Sequence, residues 1–376
     1  MRDFEALVPQ HVRALAAYVP GKPIREAERE SGVACIKMAS NENPFGPSPR
    51  AREALAQAAG EINLYPDDTV MDLRQKLAQK HGLEPEQLLI TAGSTGFLHI
   101  IGRTLLGQGA NAITSERSFI VYPIVAKATG AQFITVPMRN DGFDLDAILR
   151  RIDKNTRVVF IANPNNPTGS LLEAAELQRF LDRVPEHVTV VLDEAYCDFA
   201  GYFAARRGVE YSRSEQWVRE GRNLIVLRTF SKAHGLAGVR IGYGFAPAGL
   251  MQYLARLRTV FSVSNVAEAA ALAALEDDAH IRRTLENNAA GAELLGREIA
   301  SLSLRVLPTW ANFLYVDVGE DATAIAKRLQ DEGIIIRPLT GGWEAPRAIR
   351  ITVGTPEQNH KLLSAMKKVF VRAVVK

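Results

Sequence analysis

An α/β fold with a largely parallel sheet is predicted by two features of the sequence. Short runs, mostly of β-branched and leucine residues, stand at 88–91, 132–136, 157–161, 188–192 and 224–227. Apolar runs of four or five residues suit strands covered on both faces, as in parallel sheets. Between them lie longer amphipathic stretches at 96–106, 145–152, 173–184 and 250–260, with helical spacing. Strand–helix alternation implies right-handed crossovers and helices on both sides of the sheet.

The elements follow in order along the chain. A helix is expected near 6–17, and residues 1–40 are too few for a domain, so they are expected to form an arm packed on a smaller C-terminal unit. Residues 41–265 carry the strand–helix alternation and make the large domain. From 265 to 302 the chain is rich in Ala, Leu, Glu and Arg with no proline, which predicts one long helix or two consecutive ones. Then come strands at 312–318, 334–336 and 349–353, a helix at 323–332 and a final helix from Pro356. This makes a small α+β domain over 266–376.

Composition narrows the function classes. The 376 residues are 47% hydrophobic and 23% charged, with 45 basic against 42 acidic side chains, a net charge of +3. So balanced a charge marks neither a nucleic-acid nor a membrane-surface binder. No run approaches the ~20 apolar residues that span a bilayer, and the opening MRDFEALVPQ lacks a secretory apolar core. Cys35 and Cys197 have no CxxC spacing and form no metal cluster with the seven histidines, so reduced thiols in a cytoplasmic protein are expected and no metal site.

In a parallel sheet, ligands bind beyond the carboxyl ends of the strands. Four loops there carry chemistry: Ala92-Gly93-Ser94-Thr95, Asn163-Pro164-Asn165-Asn166-Pro167-Thr168-Gly169, Asp193-Glu194-Ala195-Tyr196, and Ser231-Lys232 with Arg240 following. Singly these read as a helix start, a turn, a surface carboxylate and a solvated lysine. Jointly they meet the needs of pyridoxal phosphate, an aromatic aldehyde phosphate that works as an electron sink. Lys232, among apolar and small residues, is the amine for the covalent resting link. Asp193 is the carboxylate that keeps the pyridine nitrogen protonated. Asn166 and Tyr196 are donors for the ring oxygen, Ser94, Thr95, Ser231 and Arg240 hold the phosphate, and Phe119 stacks on the ring.

These residues resemble those of the fold-type-I pyridoxal-phosphate aminotransferases, and within them the histidinol-phosphate aminotransferase family, from about Ala39 to Thr355. Ser40-Asn41-Glu42-Asn43-Pro44-Phe45-Gly46-Pro47-Ser48-Pro49 is similar to the family's N-terminal signature. Tyr65-Pro66-Asp67 resembles a segment whose tyrosine reaches the cofactor phosphate of the neighbouring subunit, which implies a homodimer. Ala311-Asn312-Phe313, Ile336-Arg337-Pro338 and Arg350-Ile351-Thr352-Val353-Gly354-Thr355 look like its C-terminal set. The resemblance implies that Arg350 grips the substrate α-carboxylate, that Arg337 and Tyr18 hold the substrate phosphate or the distal carboxylate of glutamate, and that Asn43 and Asn166 also face substrate. Lys232, freed from the cofactor, would act as general base and acid, with Asp193 and Tyr196 as its catalytic partners.

Three positions differ from the family's usual residues. His234 stands where Phe or Tyr is common and is expected either to face solvent or to alter the pocket wall. Gly96 replaces an acidic residue, and Phe119 a tyrosine. Trp343, Phe261 and Phe45 are candidates for an aromatic pocket. Rival expectations are an aromatic amino acid aminotransferase of the same family, a threonine-phosphate decarboxylase, and an aminotransferase-like sensing module of a transcriptional regulator. Small-molecule amino acids and 2-oxo acids are the expected partners.

Overall fold

The structure is a computed structural model that describes residues 4–15 and 21–371. Its first strand, β1 (Ile36–Lys37), lies outside the main sheet. The main sheet has seven strands: β2 (Leu88–Thr91), β3 (Asn111–Ser115), β4 (Gln132–Val136), β5 (Thr156–Ala162), β6 (Thr189–Asp193), β7 (Leu224–Thr229) and β8 (Gly242–Phe245). Their spatial order is β2-β8-β7-β6-β5-β3-β4. The contacts from β4 across to β7 are parallel, whereas β8 runs antiparallel to both its neighbours.

Helices cover the two faces. Leu73, Leu77, Phe180, Trp217 and Ala270 pack with Val159, Val190 and Val226 on one side. Phe97, Ile101, Tyr122 and Val125 pack with Phe160, Val191 and Ile225 on the other. Alternate residues of β5, β6 and β7 therefore enter opposite cores, which explains why those runs are apolar nearly throughout, whereas β4 at the sheet edge leaves Gln132 and Thr135 exposed.

Two further strands escape the apolar pattern. β3 is buried along its length but reads Asn-Ala-Ile-Thr-Ser. Its polar side chains bond to distant parts of the chain: Thr114 Oγ1 donates to Phe160 O at 2.7 Å and Asn111 Nδ2 to Asp153 at 2.9 Å. β8 reads Gly-Tyr-Gly-Phe because the helix Gly93–Leu105 crosses it closely. A Cβ on Gly242 would lie 2.7 Å from Ser94 N, and one on Gly244 2.6 Å from the Phe97 ring.

A second sheet, β9 (Arg305–Val306), β10 (Phe313–Asp317), β12 (Arg337–Pro338) and β13 (Ala348–Thr352), is antiparallel in the order β12-β13-β10-β9. Its core is shared with the helices Asp278–Ala300, Ala322–Asp331 and Pro356–Val371. The alanine-rich stretch is two helices, Asn265–Ala274 and Asp278–Ala300. Asp277 caps the second by accepting from His280 N at 3.1 Å.

The N-terminal segment departs from expectation. In the described part of 6–17, one continuous helix is replaced by a 3₁₀ turn at Glu5–Leu7 and one helical turn at Gln10–Arg13, separated by Pro9. Gln10–Arg13 packs on the helix Val121–Ala128, beside the main sheet. Ile24–Ser31, β1 and the strip Met38–Asn41 pack on the C-terminal elements: β1 pairs in parallel with β11 (Ile334–Ile335), and Thr352 N donates to Met38 O at 2.8 Å.

Candidate active site

β5 and β6 end side by side, Ala162 opposite Asp193, and β7 runs two residues beyond Leu227, the partner of Asp193, to Thr229. The loops after them therefore converge on one side of the sheet. With the start of helix Gly93–Leu105 and the strip Ala39–Glu42 they enclose a cavity of about 290 Å³. Ser94, Thr95, Phe119, Asn166, Asp193, Tyr196, Ser231, Lys232, Arg240, Arg337 and Arg350 all line it.

Lys232 enters from the loop after β7, where Gly235 N donates to the Lys232 carbonyl at 3.1 Å and Leu236 N to Phe230 O at 3.0 Å. Its Nζ donates to Ser40 O at 3.3 Å. Burial, reinforced by the charge of Arg350, lowers its pKa to about 8. Asp193 ends β6; its carboxylate accepts from Tyr122 Oη at 3.0 Å and from Ala195 N at 3.2 Å. Burial lifts its pKa to about 6 despite these bonds. A buried acid and a buried base thus face one cavity, each displaced toward neutrality.

The next residue, Glu194, is fully buried on the other side of the sheet and pairs with Arg228 at 2.6 Å. Ser212 and Ser214 donate to it as well. That network ties the β6 loop to β7, and so fixes Asp193 relative to the Lys232 loop.

One end of the cavity suits a dianion. Ser94 and Thr95 occupy the first turn of a thirteen-residue helix, where backbone N–H groups are unpaired by the helix itself. Ser231 Oγ accepts from Arg240 Nη1 at 3.4 Å. Arg240 adopts φ 57°, a strained backbone for a residue with a side chain. Gly93 makes the cradle possible, since a Cβ there would lie 2.5 Å from Arg240 Nη2. Serine, threonine, arginine and helix terminus together are the donors a phosphate needs, and the acid and amine beside them match a pyridine nitrogen and an aldehyde. The residues fit pyridoxal phosphate.

At the other end Arg350 Nη1 donates to Asn166 Oδ1 at 2.6 Å and Nη2 to Ala39 O at 2.8 Å. Arg337 sits on β12 directly opposite Arg350 on β13. Tyr196 Oη accepts from Asn41 Nδ2 at 2.8 Å, leaving the phenol proton for an acceptor in the cavity.

Some expected residues stand elsewhere. Asn43 is no part of the cavity wall. Its Nδ2 donates to Ala233 O at 2.8 Å and Thr284 Oγ1 at 3.1 Å, and its Oδ1 accepts from Phe45 N, so it ties the N-terminal strip to the lysine loop and to the helix Asp278–Ala300. Asn41, two residues earlier, faces the cavity in its place. Tyr65 is 82% exposed and stacks on Phe261 with ring centroids 4.7 Å apart, away from the cavity of its own chain. His234 neither faces solvent nor lines the pocket: it is buried, its ring 4.9 Å from Phe230. Gly96 is also off the wall, and a side chain there would make ordinary contact with Thr91. Phe45 and Phe261 are absent from the lining, while Trp343 is part of it. Tyr18 lies outside the described residues.

Tyr122 was not singled out from the sequence. Its signal was its place three residues after Phe119, which puts both rings on one side of a helical turn, edge-on with centroids 5.5 Å apart.

Comparison with known proteins agrees with this geometry. Residues 33–366 match the family Aminotransferase class I and II. Histidinol-phosphate aminotransferase 2 of Pseudomonas fluorescens is 44% identical over 374 residues, 99% of each chain. The histidinol-phosphate aminotransferase of Akkermansia muciniphila is 42% identical over 372 residues, 98% of this chain and all of the other. Among solved structures, the histidinol-phosphate aminotransferase of Sinorhizobium meliloti in complex with pyridoxal-5'-phosphate superposes with a TM-score of 0.88 at 33% identity, covering 97% of this chain and 98% of that one. A lysine, a carboxylate and an anion cradle at the ends of a parallel sheet, carried by a sequence this similar from end to end, show that the chain belongs to the class I and II aminotransferases.

Proposed function

We propose that this chain is a pyridoxal-phosphate-dependent histidinol-phosphate aminotransferase, with glutamate and 2-oxoglutarate as the exchanging pair. The observation that carries this reading is the placement of two arginines, Arg337 and Arg350, opposite each other in the cavity that holds Lys232 and Asp193. Glutamate presents two carboxylates and histidinol phosphate a dianionic phosphate, and both call for a pair of guanidiniums.

When bound, pyridoxal phosphate supplies the carbonyl that takes up an amine and the ring that accepts the electrons left at the α-carbon. Ser94, Thr95, Ser231 and Arg240 hold its phosphate. Asp193 Oδ2, backed by Tyr122, keeps a proton on the ring nitrogen. Tyr196 Oη and Asn166 Nδ2 donate toward the ring oxygen, and Phe119 covers a ring face. Lys232 Nζ, with its pKa near 8, takes the proton from the substrate α-carbon and delivers it on the opposite side of the exchange. Arg350 and Arg337 orient the substrate so that this carbon faces Nζ.

The direct test is to mix the cofactor-loaded enzyme separately with histidinol phosphate, glutamate, phenylalanine, tyrosine and threonine phosphate, and follow its visible band. Glutamate and histidinol phosphate are expected to bleach it, without release of carbon dioxide. Bleaching by the aromatic amino acids alone would assign a different substrate, and carbon dioxide from threonine phosphate a different reaction. Arg350→Ala should raise KM for every amino acid roughly 10- to 100-fold, the worth of a charge-assisted bidentate contact. Arg337→Ala should do so only for phosphorylated or dicarboxylic substrates; equal losses in both variants would reverse the assignment.

A homodimer is part of this reading. Tyr65 and Phe261, with the exposed Ile62 and Leu64, form an apolar surface suited to a second copy. Light scattering should give twice the chain mass, and Tyr65→Ala should weaken cofactor binding; a fully active monomer would refute it. A cytoplasmic site of action agrees with the two unpaired cysteines. Among the described residues no helix is long and apolar enough to cross a membrane.

A further inference from the structure

Trp343 lines the substrate end of the cavity, yet the transfer chemistry does not use it. Its indole is 4% exposed and packs with Leu339, Tyr315 and Ile120. The turn that carries it is closely seated, since a Cβ on Gly342 would lie 2.7 Å from Ile120 Cδ1. The Arg337 guanidinium lies 5.1 Å from the indole centroid and that of Arg350 6.0 Å.

The two arginines are direct cross-strand partners, a position in which like charges repel. An electron-rich indole within 6 Å of both attracts both, and more strongly in a desolvated pocket than at the surface. Arg350 is also clamped by Asn166 and Ala39 and lies 5.4 Å over the Phe313 ring, and Arg337 likewise has a partner besides the indole. Arg337 is half-exposed, at the end of a two-residue strand. The indole N–H finds no acceptor among the described residues, so the ring face, not the hydrogen bond, is what this position supplies.

We propose that Trp343 is a specificity-determining positioning residue: its indole holds the Arg337 guanidinium beside that of Arg350, and so selects substrates that carry two negative charges over those that carry one. This rests on reading the arginines as the pair that binds substrate anions, and it adds a determinant outside the arginines themselves. A leucine would fill much of the volume without attracting either cation, whereas phenylalanine retains a ring face and removes the orphaned N–H.

The experiment compares inhibition of glutamate turnover by succinate, which has two carboxylates, and by butyrate, which has one, in the holoenzyme and in Trp343→Leu and Trp343→Phe. Thermal melts establish that each variant is folded. Trp343→Leu is expected to weaken succinate about ten-fold and to raise KM for glutamate in parallel, with butyrate inhibition within about two-fold of the parent. Trp343→Phe should restore succinate inhibition to within about three-fold. Equal weakening of both inhibitors, no change in either, or a phenylalanine variant as impaired as the leucine one would overturn the proposal. Should Trp343→Leu fail to fold, Trp343→Met, which also lacks a ring face, takes its place: a selective rise in the succinate constant supports the proposal, and an equal rise for both inhibitors or no rise rejects it. Failure of the parent enzyme to convert histidinol phosphate would instead reject the substrate assignment, and leave the succinate–butyrate comparison standing on glutamate turnover.

Discussion

Lys232→Ala is expected to abolish turnover and, at the same time, the visible absorbance of the cofactor-loaded protein. The residue is asked to do two things: hold the cofactor covalently at rest and carry a proton during exchange. Removing a proton carrier alone costs typically 10²–10⁴-fold, and the loss of the resting link adds to it, so kcat should fall by roughly 10⁴-fold or more. Folding should survive, because the Nζ makes one long bond, to Ser40 O at 3.3 Å, and the loop around it is held by backbone bonds and by Asn43. The lowered pKa explains why this lysine suits the task. Only the neutral amine attacks a carbonyl or accepts a proton, and burial brings the neutral form within reach of ordinary pH. Turnover by the alanine variant, or retention of its visible band, would remove the basis of the functional reading.

Asp193→Ala gives the second large effect, and its signature differs. The variant should still bind cofactor through Ser94, Thr95, Ser231, Arg240 and Lys232, and should still be coloured. Its kcat should drop about 100- to 1,000-fold, the usual cost of removing one preorganised charge from a buried reaction centre. Near-normal kcat would contradict the role. The pH dependence follows from the same carboxyl. Burial raises it from an ordinary 3.8 to about 6. A protonated ring nitrogen favours the ionised acid, so binding of cofactor expels the carboxyl proton, and affinity should strengthen as pH rises through about 6. Tyr122→Phe removes a bond that lowers this pKa, so the midpoint should move upward. A binding profile flat between pH 5 and 7 would exclude Asp193 as the partner of the ring.

The strands that were legible are those whose two faces are covered by separate cores. β2 occurs at the expected residues and β5 to β7 within two residues of their expected limits, because apolar side chains are needed on both sides; β4, at the sheet edge with Gln132 and Thr135 exposed, is the exception that still matches. β3 was not legible, since its polar residues are buried against neighbours far along the chain: Asn111 on Asp153, and Thr114 on Phe160. β8 was hidden by its glycines, which local rules read as turn formers and which the crossing helix requires.

The site shows the same division. The four motif loops could be read because each follows its strand immediately, and a parallel sheet leaves such loops at a common edge. Asn43 was misread for the opposite reason. In Asn41-Glu42-Asn43 nothing local tells which asparagine faces the cavity; that depends on where Tyr196, Ala233 and Thr284 stand, 155 to 241 positions away. His234 is a similar case, its ring taken into the core beside Phe230.

What the sequence determined unaided is the chemistry at the strand ends: an amine, an acid, hydroxyls and an arginine, at spacings that follow from strand and helix geometry. What only the tertiary structure decided is which distant groups share a wall. Arg350 meets the carbonyl of Ala39 across 311 positions, and Arg337 meets Arg350 through an antiparallel register that no local pattern encodes. Periodicity reports the face a side chain takes on its own element. Contacts between elements depend on how the closed chain packs as a whole.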